Sequence, residues 1–251
     1  MTTTEQFLSG HTALVTASSR NLGASIVSAL AARGADVVVT YHGSKATAEE
    51  LLARLPPGSH VCVHGDLSTT DGIVAMVESA VAAAPGTIDI VVNNSGPFSM
   101  VPFLDLDVDE WDRIWTANVK AAFLTSRMLI PEMTEWGRVV NVSAGSAFIR
   151  NHAMYTLAKD AVITFTETLA LEVGPNVTVN CVAPGQIAES ADDMAEFDPT
   201  FVERATNAAP LGRLVTRDDV AGIVAELCGP RFASVTGVTI PVDCGGHLPT
   251  F

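Results

Sequence analysis

Tyr155 and Lys159 are the side chains here best suited to moving a proton. They stand four apart near the start of Met154–Val173, an apolar-periodic run that reads as a helix. Residues four apart share a helix face, so a phenol and an ammonium project together. A nearby cation favours the phenolate and lowers the phenol pKa. That suits a group that protonates a carbonyl oxygen or takes the proton from an alcohol. The same spacing also arises on ordinary solvated helix faces. The chain has two tyrosines and three lysines (Lys45, Lys120 and Lys159), which makes the pairing less casual. It becomes an active centre only if the rest of the chain supplies a cofactor.

The elements that must position the pair alternate. Apolar, β-branched runs at 12–16, 36–41, 60–64, 88–93, 138–142, 177–182 and 235–242 read as strands. Between them, 22–33, 46–55, 71–84, 107–133, 154–173 and 217–227 carry helical periodicity. Pro131 predicts a kink or an early end in the 107–133 helix. Strand and helix in alternation predict an α/β fold: a Rossmann-type, doubly wound parallel sheet with helices on both faces, as a single domain over 1–251. The one long break in the rhythm, about 188–209, falls where such folds bind ligands and reads as a substrate lid or an irregular surface insertion.

Composition narrows the function. The chain has 251 residues, 48% of them hydrophobic, and a formal net charge of -14. That charge opposes binding to nucleic acid or to an anionic membrane surface. No apolar run reaches the roughly 18 residues of a membrane span. The first ten residues lack the basic and apolar regions of a signal peptide. Cys62, Cys181, Cys228 and Cys244 are far apart, without metal-ligand spacing, and read as free thiols of a cytoplasmic protein. No metal is expected.

The stretch after the first strand is Thr16-Ala17-Ser18-Ser19-Arg20-Asn21-Leu22-Gly23. A tight strand-to-helix turn offers backbone N–H groups and a helix dipole to an anion. The strict GxGxxG pattern is not met. With Tyr155 and Lys159, however, the loop resembles that of the short-chain dehydrogenase/reductase family, Thr-Gly-x-x-x-Gly-[Ile/Leu]-Gly. Ala17 and Asn21 stand at the first two glycine places, and Asn tolerates positive φ best after Gly. The resemblance covers nearly the whole chain. It includes Asp66-Leu67 after the third strand, Asn93-Asn94-Ser95-Gly96 after the fourth, Asn118 on the long helix, Pro184-Gly185-Gln186-Ile187 after the sixth, and Asp243-Cys244-Gly245-Gly246 near the end.

What the resemblance implies is specific. Residues 17–23 hold the pyrophosphate of a dinucleotide. Asp66 and Leu67 hold the adenine, while Asn93, Ser95 and Gly96 line the cofactor. Pro184, Gly185 and Ile187 contact the nicotinamide. Glu189 stands where the family commonly has Thr. Tyr155 donates the proton, Lys159 lowers its pKa and holds the ribose, and Asn118 bends its helix and holds a relay water. The family's serine position falls on Ala144. Ser143 takes that role here, with Ser146 as the substitute. The nearest resemblance is to 3-oxoacyl-(acyl-carrier-protein) reductases and related ketone reductases, commonly homotetramers, with a homodimer as the alternative.

The second strand ends in Tyr41, without the Asp or Glu that usually binds the ribose hydroxyls of NAD. Arg20, His42, Ser44 and Lys45 stand near enough in sequence to hold a 2′-phosphate, so NADP(H) is expected. Phe98, Met100, Phe148, Ile149 and His152 predict an apolar pocket for a hydrophobic ketone or acyl-chain carbonyl. Two other readings stay open: an NAD-dependent secondary-alcohol dehydrogenase, and a non-catalytic nucleotide-binding relative.

Overall fold

The structure, a computed structural model, describes residues 6–94, 96–145, 153–191 and 199–248. Seven parallel strands form one sheet in the order β3-β2-β1-β4-β5-β6-β7. They are β1 (Thr12–Val15), β2 (Asp36–Tyr41), β3 (Val61–His64), β4 (Ile88–Asn93), β5 (Gly137–Val142), β6 (Val177–Pro184) and β7 (Thr239–Val242). Val37, Val38 and Val39 of β2 are fully buried. A strand covered on both faces needs such an unbroken apolar run, because neither face meets water. Each such side chain contributes about 1.5–3 kcal/mol.

The helices divide between the two faces. On one lie α1 (Asn21–Ala32), α2 (Lys45–Leu52) and α8 (Arg217–Leu227), and their core includes Ile26, Leu30, Leu51 and Val224. On the other lie α3 (Thr70–Ala83), α5 (Ala121–Leu129) and α6 (Ala153–Val173), with Met76, Val77 and Leu129 packed on Val91 and Val139. α4 (Val108–Trp115) leads into α5, and α7 (Phe201–Ala208) follows β6. Because all strands are parallel, their C-terminal ends share one edge, where the connecting loops gather. No helix among the described residues is long and apolar enough to cross a membrane.

The expected helix over 107–133 is segmented. A π-helical turn, Thr116–Lys120, separates α4 from α5, and a short 3-10 turn, Ile130–Glu132, ends the run at Pro131. The cause of the π turn is Asn118. Its side-chain amide donates to Ile114 O (2.9 Å) and to Pro97 O (3.2 Å), competing with the backbone ladder for the carbonyl four residues back. The last strand is shorter than its apolar run. Ahead of Thr239, Asn180 donates from its side chain to Val235 O (2.8 Å), Thr236 Oγ1 accepts from Val179 N, and Gly237 turns at φ 72°. Side chains there stand in for part of the ladder, beside the backbone bonds from Gly237 N to Val179 O and from Cys181 N to Val238 O.

A buried polar seam ties the central strands to the helices behind them. Asn93 Nδ2 donates to Asn141 Oδ1 (2.8 Å) and Ser126 Oγ (3.2 Å). Asn141 Nδ2 donates to Thr166 Oγ1 (2.9 Å), which donates to Val162 O. Asn141 and Thr166 are wholly inaccessible. Truncating the middle of such a chain strands polar groups on both sides. Asn141→Ala is therefore expected to lose about 2–3 kcal/mol in urea unfolding, well beyond a surface substitution.

Candidate active site

Along the C-terminal edge of the sheet runs a cavity of about 740 Å³. Its wall includes Ala17, Arg20, Asn21, Leu22 and Gly23 at one end, and Ser143, Tyr155, Lys159 and Ile187 at the other. The sheet brings these together: the β1 exit supplies the loop, the β5 exit faces the first turns of α6, and the β6 exit closes the side.

Within the loop, the two residues at glycine places are strained. Ala17 and Asn21 both have φ 51°, the left-handed region. That region costs an L-residue about 1–2 kcal/mol, less for Asn, and is free to glycine. The turn is thus kept without its glycines. It is held by Ala17 N donating to Thr40 Oγ1 (2.8 Å) and by Asn94 Nδ2 donating to Thr16 O and Ala17 O. α1 begins at Asn21 with no side-chain cap, so its first N–H groups are open to a ligand. Gly23 is required: a Cβ there would stand 2.5 Å from Ala17 O and 2.6 Å from Ser18 Cα. An uncapped helix start, a left-handed turn and a cradle that a methyl would fill suit a pyrophosphate.

Not every expected ligand reaches the cavity. Ser18 is fully buried; its hydroxyl donates to Val15 O (2.7 Å) and accepts from Thr40 N, so it braces the loop from behind. Ser19 is half-buried and not part of the wall. Ser44 caps α2, accepting from Thr47 N, and Lys45 pairs with Glu49 at 3.1 Å. Asn93 belongs to the polar seam. Tyr41, His42, Asp66, Leu67, Gly96, Pro184 and Gly185 do line the cavity. His42 Nδ1 lies 3.9 Å from Asp66, whose carboxylate accepts from Ser68 N and Oγ. Hydrogen bonds from Ser68 hold Asp66 below its usual pKa. Ser95, Ser146, Phe148, Ile149 and His152 lie outside the described residues, as does part of the lid.

At the other end, Lys159 Nζ lies 5.6 Å from the Tyr155 ring centroid. Lys159 is 3% exposed, and its ammonium donates to Val142 O (3.0 Å). Loss of solvation pushes the Lys159 ammonium down to about 8. The sequence predicts a phenol lowered by the ammonium; in the folded chain, burial pushes Tyr155 up instead. Asn118 sits behind the pair, with its Oδ1 buried and without a hydrogen-bond partner. A Cβ on Gly96 would strike both Asn118 Oδ1 and Lys159 Nζ, at 2.6 Å from the latter, so only glycine lets β4's exit pass this close. Ser143 departs from expectation. It borders the cavity, but its hydroxyl donates to Lys159 O (2.8 Å) instead of pointing at a substrate oxygen.

Among the wall groups that sequence pattern does not single out are Asn94, Ser190 and Arg113. Asn94 locks the loop, a role its place beside Asn93 did not disclose. Ser190, at the base of the lid, accepts from Arg217 (3.2 Å). Arg113 is held by two contacts to Glu110 (2.6 and 2.8 Å), and nothing in its local pattern singles it out. Glu189 is turned away, its carboxylate accepting from Arg217 N at the start of α8. Phe98 packs edge-on against Tyr155, centroids 5.2 Å apart, whereas Met100 is exposed and outside the wall. Among the described residues no group of His, Cys, Asp or Glu is arranged to hold a metal.

The chain is similar to known proteins over nearly its whole length. A family model described as Enoyl-(Acyl carrier protein) reductase matches residues 16–247. Versicolorin reductase of Emericella nidulans is 32% identical over 254 residues, covering 95% of this chain and 96% of the relative. The 3-oxoacyl-(acyl-carrier-protein) reductase of Aquifex aeolicus is 33% identical over 246 residues, covering 95% and 98%. A short-chain dehydrogenase/reductase structure from Serratia marcescens superposes with a TM-score of 0.87 at 30% identity, covering 96% of this chain and 99% of that one.

Two measurements follow from the geometry. Ala17→Gly relieves the left-handed strain, less the extra entropy glycine brings to the unfolded chain, so a net gain of up to about 1 kcal/mol is expected in urea unfolding. Lys159 has a folded pKa of about 8 against an ordinary 10.5, so its burial costs stability below about pH 8 and the cost fades as pH rises toward 10.5. The stability of Lys159→Met relative to the parent is therefore expected to fall by on the order of 3 kcal/mol between pH 7 and about pH 10.5.

Proposed function

Because the chain belongs to the short-chain dehydrogenase/reductase family, whose members are oxidoreductases of the C=O/CH–OH couple, we infer that it is an NADPH-dependent ketone reductase with Tyr155 as proton donor. The observation that carries this is the presence, in one cavity, of a phenol beside an ammonium and of an open helix start on a left-handed turn.

The N–H groups at the start of α1 would hold the pyrophosphate, and Asp66 with Leu67 the adenosine end. Pro184, Gly185 and Ile187 would border the nicotinamide, and Lys159 its ribose. When bound, the reduced nicotinamide supplies a hydride to the carbonyl carbon. Tyr155 is kept protonated by burial and so is ready to give its proton to the carbonyl oxygen as charge develops there. Lys159 and Asn118 stand behind it to return a proton from solvent, with the orphaned Asn118 Oδ1 as an acceptor for a bridging water.

NADPH is favoured over NADH by what stands at the end of β2. Tyr41 places no carboxylate there, and Arg20 and His42 line the same wall. Ser44 and Lys45 add nothing, being engaged with Thr47 and Glu49. A hydrophobic ketone or acyl-chain carbonyl is the substrate class, since Pro97, Phe98, Ala144 and Ile187 line the space beside Tyr155. Exposed Phe123, Leu157 and Leu171, on α5 and α6, are surfaces that further copies would cover in a homotetramer.

The test is a ketone panel followed by absorbance of the reduced nicotinamide. Expected is turnover with higher kcat/KM for NADPH than NADH, and a 10²–10⁴-fold loss in Tyr155→Phe. Preference for NADH would overturn the cofactor assignment. Nucleotide binding without turnover on any ketone would point to a non-catalytic relative.

A further inference from the structure

We propose that Ser143 is a positioning residue that fixes Lys159, and not the hydroxyl that polarises the substrate oxygen; this rests on the reductase reading above.

Two successive residues of the β5 exit grip one residue of α6 from both ends. Ser143 Oγ donates to the Lys159 main-chain oxygen (2.8 Å), and Lys159 Nζ donates back to Val142 O (3.0 Å). The grip is anchored in the sheet, because Ser143 N donates to Val182 O on β6 (2.9 Å). Ser143 and Lys159 are each only 3% exposed. A lysine has four rotatable carbons between its backbone and its charge, and an unheld one would spread over many rotamers. Tying the backbone oxygen and the ammonium to adjacent points of one strand leaves the stem little freedom.

The proton count gives the second half of the argument. A hydroxyl has one proton to donate. With that proton on Lys159 O, Ser143 turns only lone pairs toward the cavity. Lone pairs repel the negative charge that grows on a carbonyl oxygen during hydride addition, where a donor is required. The next residue, Ala144, lines the same wall and brings a methyl.

The test reads Lys159 directly. With three lysines in the chain, selectively labelled lysine Cε signals can be followed through a pH titration by NMR. In Ser143→Ala the loosened stem lets water in, so the Lys159 midpoint is expected to rise by about one unit from its depressed value. NADPH affinity, read by nucleotide fluorescence, is expected to weaken about five- to tenfold, with the ketone KM changed less than about twofold. Ser143→Thr keeps the hydroxyl and is expected to restore the titration and the affinity. An unchanged Lys159 midpoint and NADPH affinity in Ser143→Ala would overturn the proposal, and a kcat loss of 10²-fold or more with them would make Ser143 the substrate donor. If the parent protein fails to bind NADPH, the reductase reading falls, while the lysine titration still decides the clamp.

Discussion

The structure depends on the fixed register between β4 and β5, which sets Asn93 beside Asn141 in a parallel pair. Their amides are nearly cut off from water, so their donors must find partners inside the protein, although Asn93 Oδ1 is left without one. Asn141 finds one in Thr166, a residue of α6, and Asn93 finds another in Ser126, a residue of α5. A slip of one residue in that register would turn these side chains to the wrong face and leave them unpaired. The seam thus fixes the height of α6 against the sheet, and with it the height of Tyr155 and Lys159 at the cavity wall.

Above the seam the site contains local conflicts that the surrounding packing holds in place. Ala17 and Asn21 occupy a backbone region that suits glycine, and Lys159 keeps an ammonium almost out of water. Asn118 breaks a helical ladder and still has an acceptor without a partner. Each is unfavourable taken alone; Ala17, Asn21 and Lys159 border one cavity, and Asn118 lies directly behind its wall at Gly96. Strain and unpaired polarity collected in one place mark a ligand site more firmly than any single side chain does.

Most of the fold was legible in the sequence, because a buried parallel strand and an amphipathic helix leave different periodicities. β2 and β4 begin and end where their apolar runs do, and α8 spans the expected residues. The mistakes fall where a side chain replaces a backbone bond. Asn118 turns one helix into two through its hold on Ile114, and Asn180 takes Val235 O out of the edge pairing that the Val235–Val238 run suggests. Neither substitution changes the hydrophobic pattern, so neither is visible in it. Asn118 was found only through resemblance to a family.

By itself, the sequence determined the order of strands and helices, the four-residue spacing of Tyr155 and Lys159, the presence of Ala17 and Asn21 at two glycine places of the turn, and the lack of an acid at Tyr41. These are local properties: periodicity, spacing and residue type within a few positions of one another. The tertiary structure decided what faces what. It turned Ser18 and Ser44 from ligands into braces, took Lys45 to Glu49, and sent the hydroxyl of Ser143 into the helix that carries Lys159. It also reversed the sense of the Tyr155 shift, because the phenol's loss of solvation is set by everything packed around it.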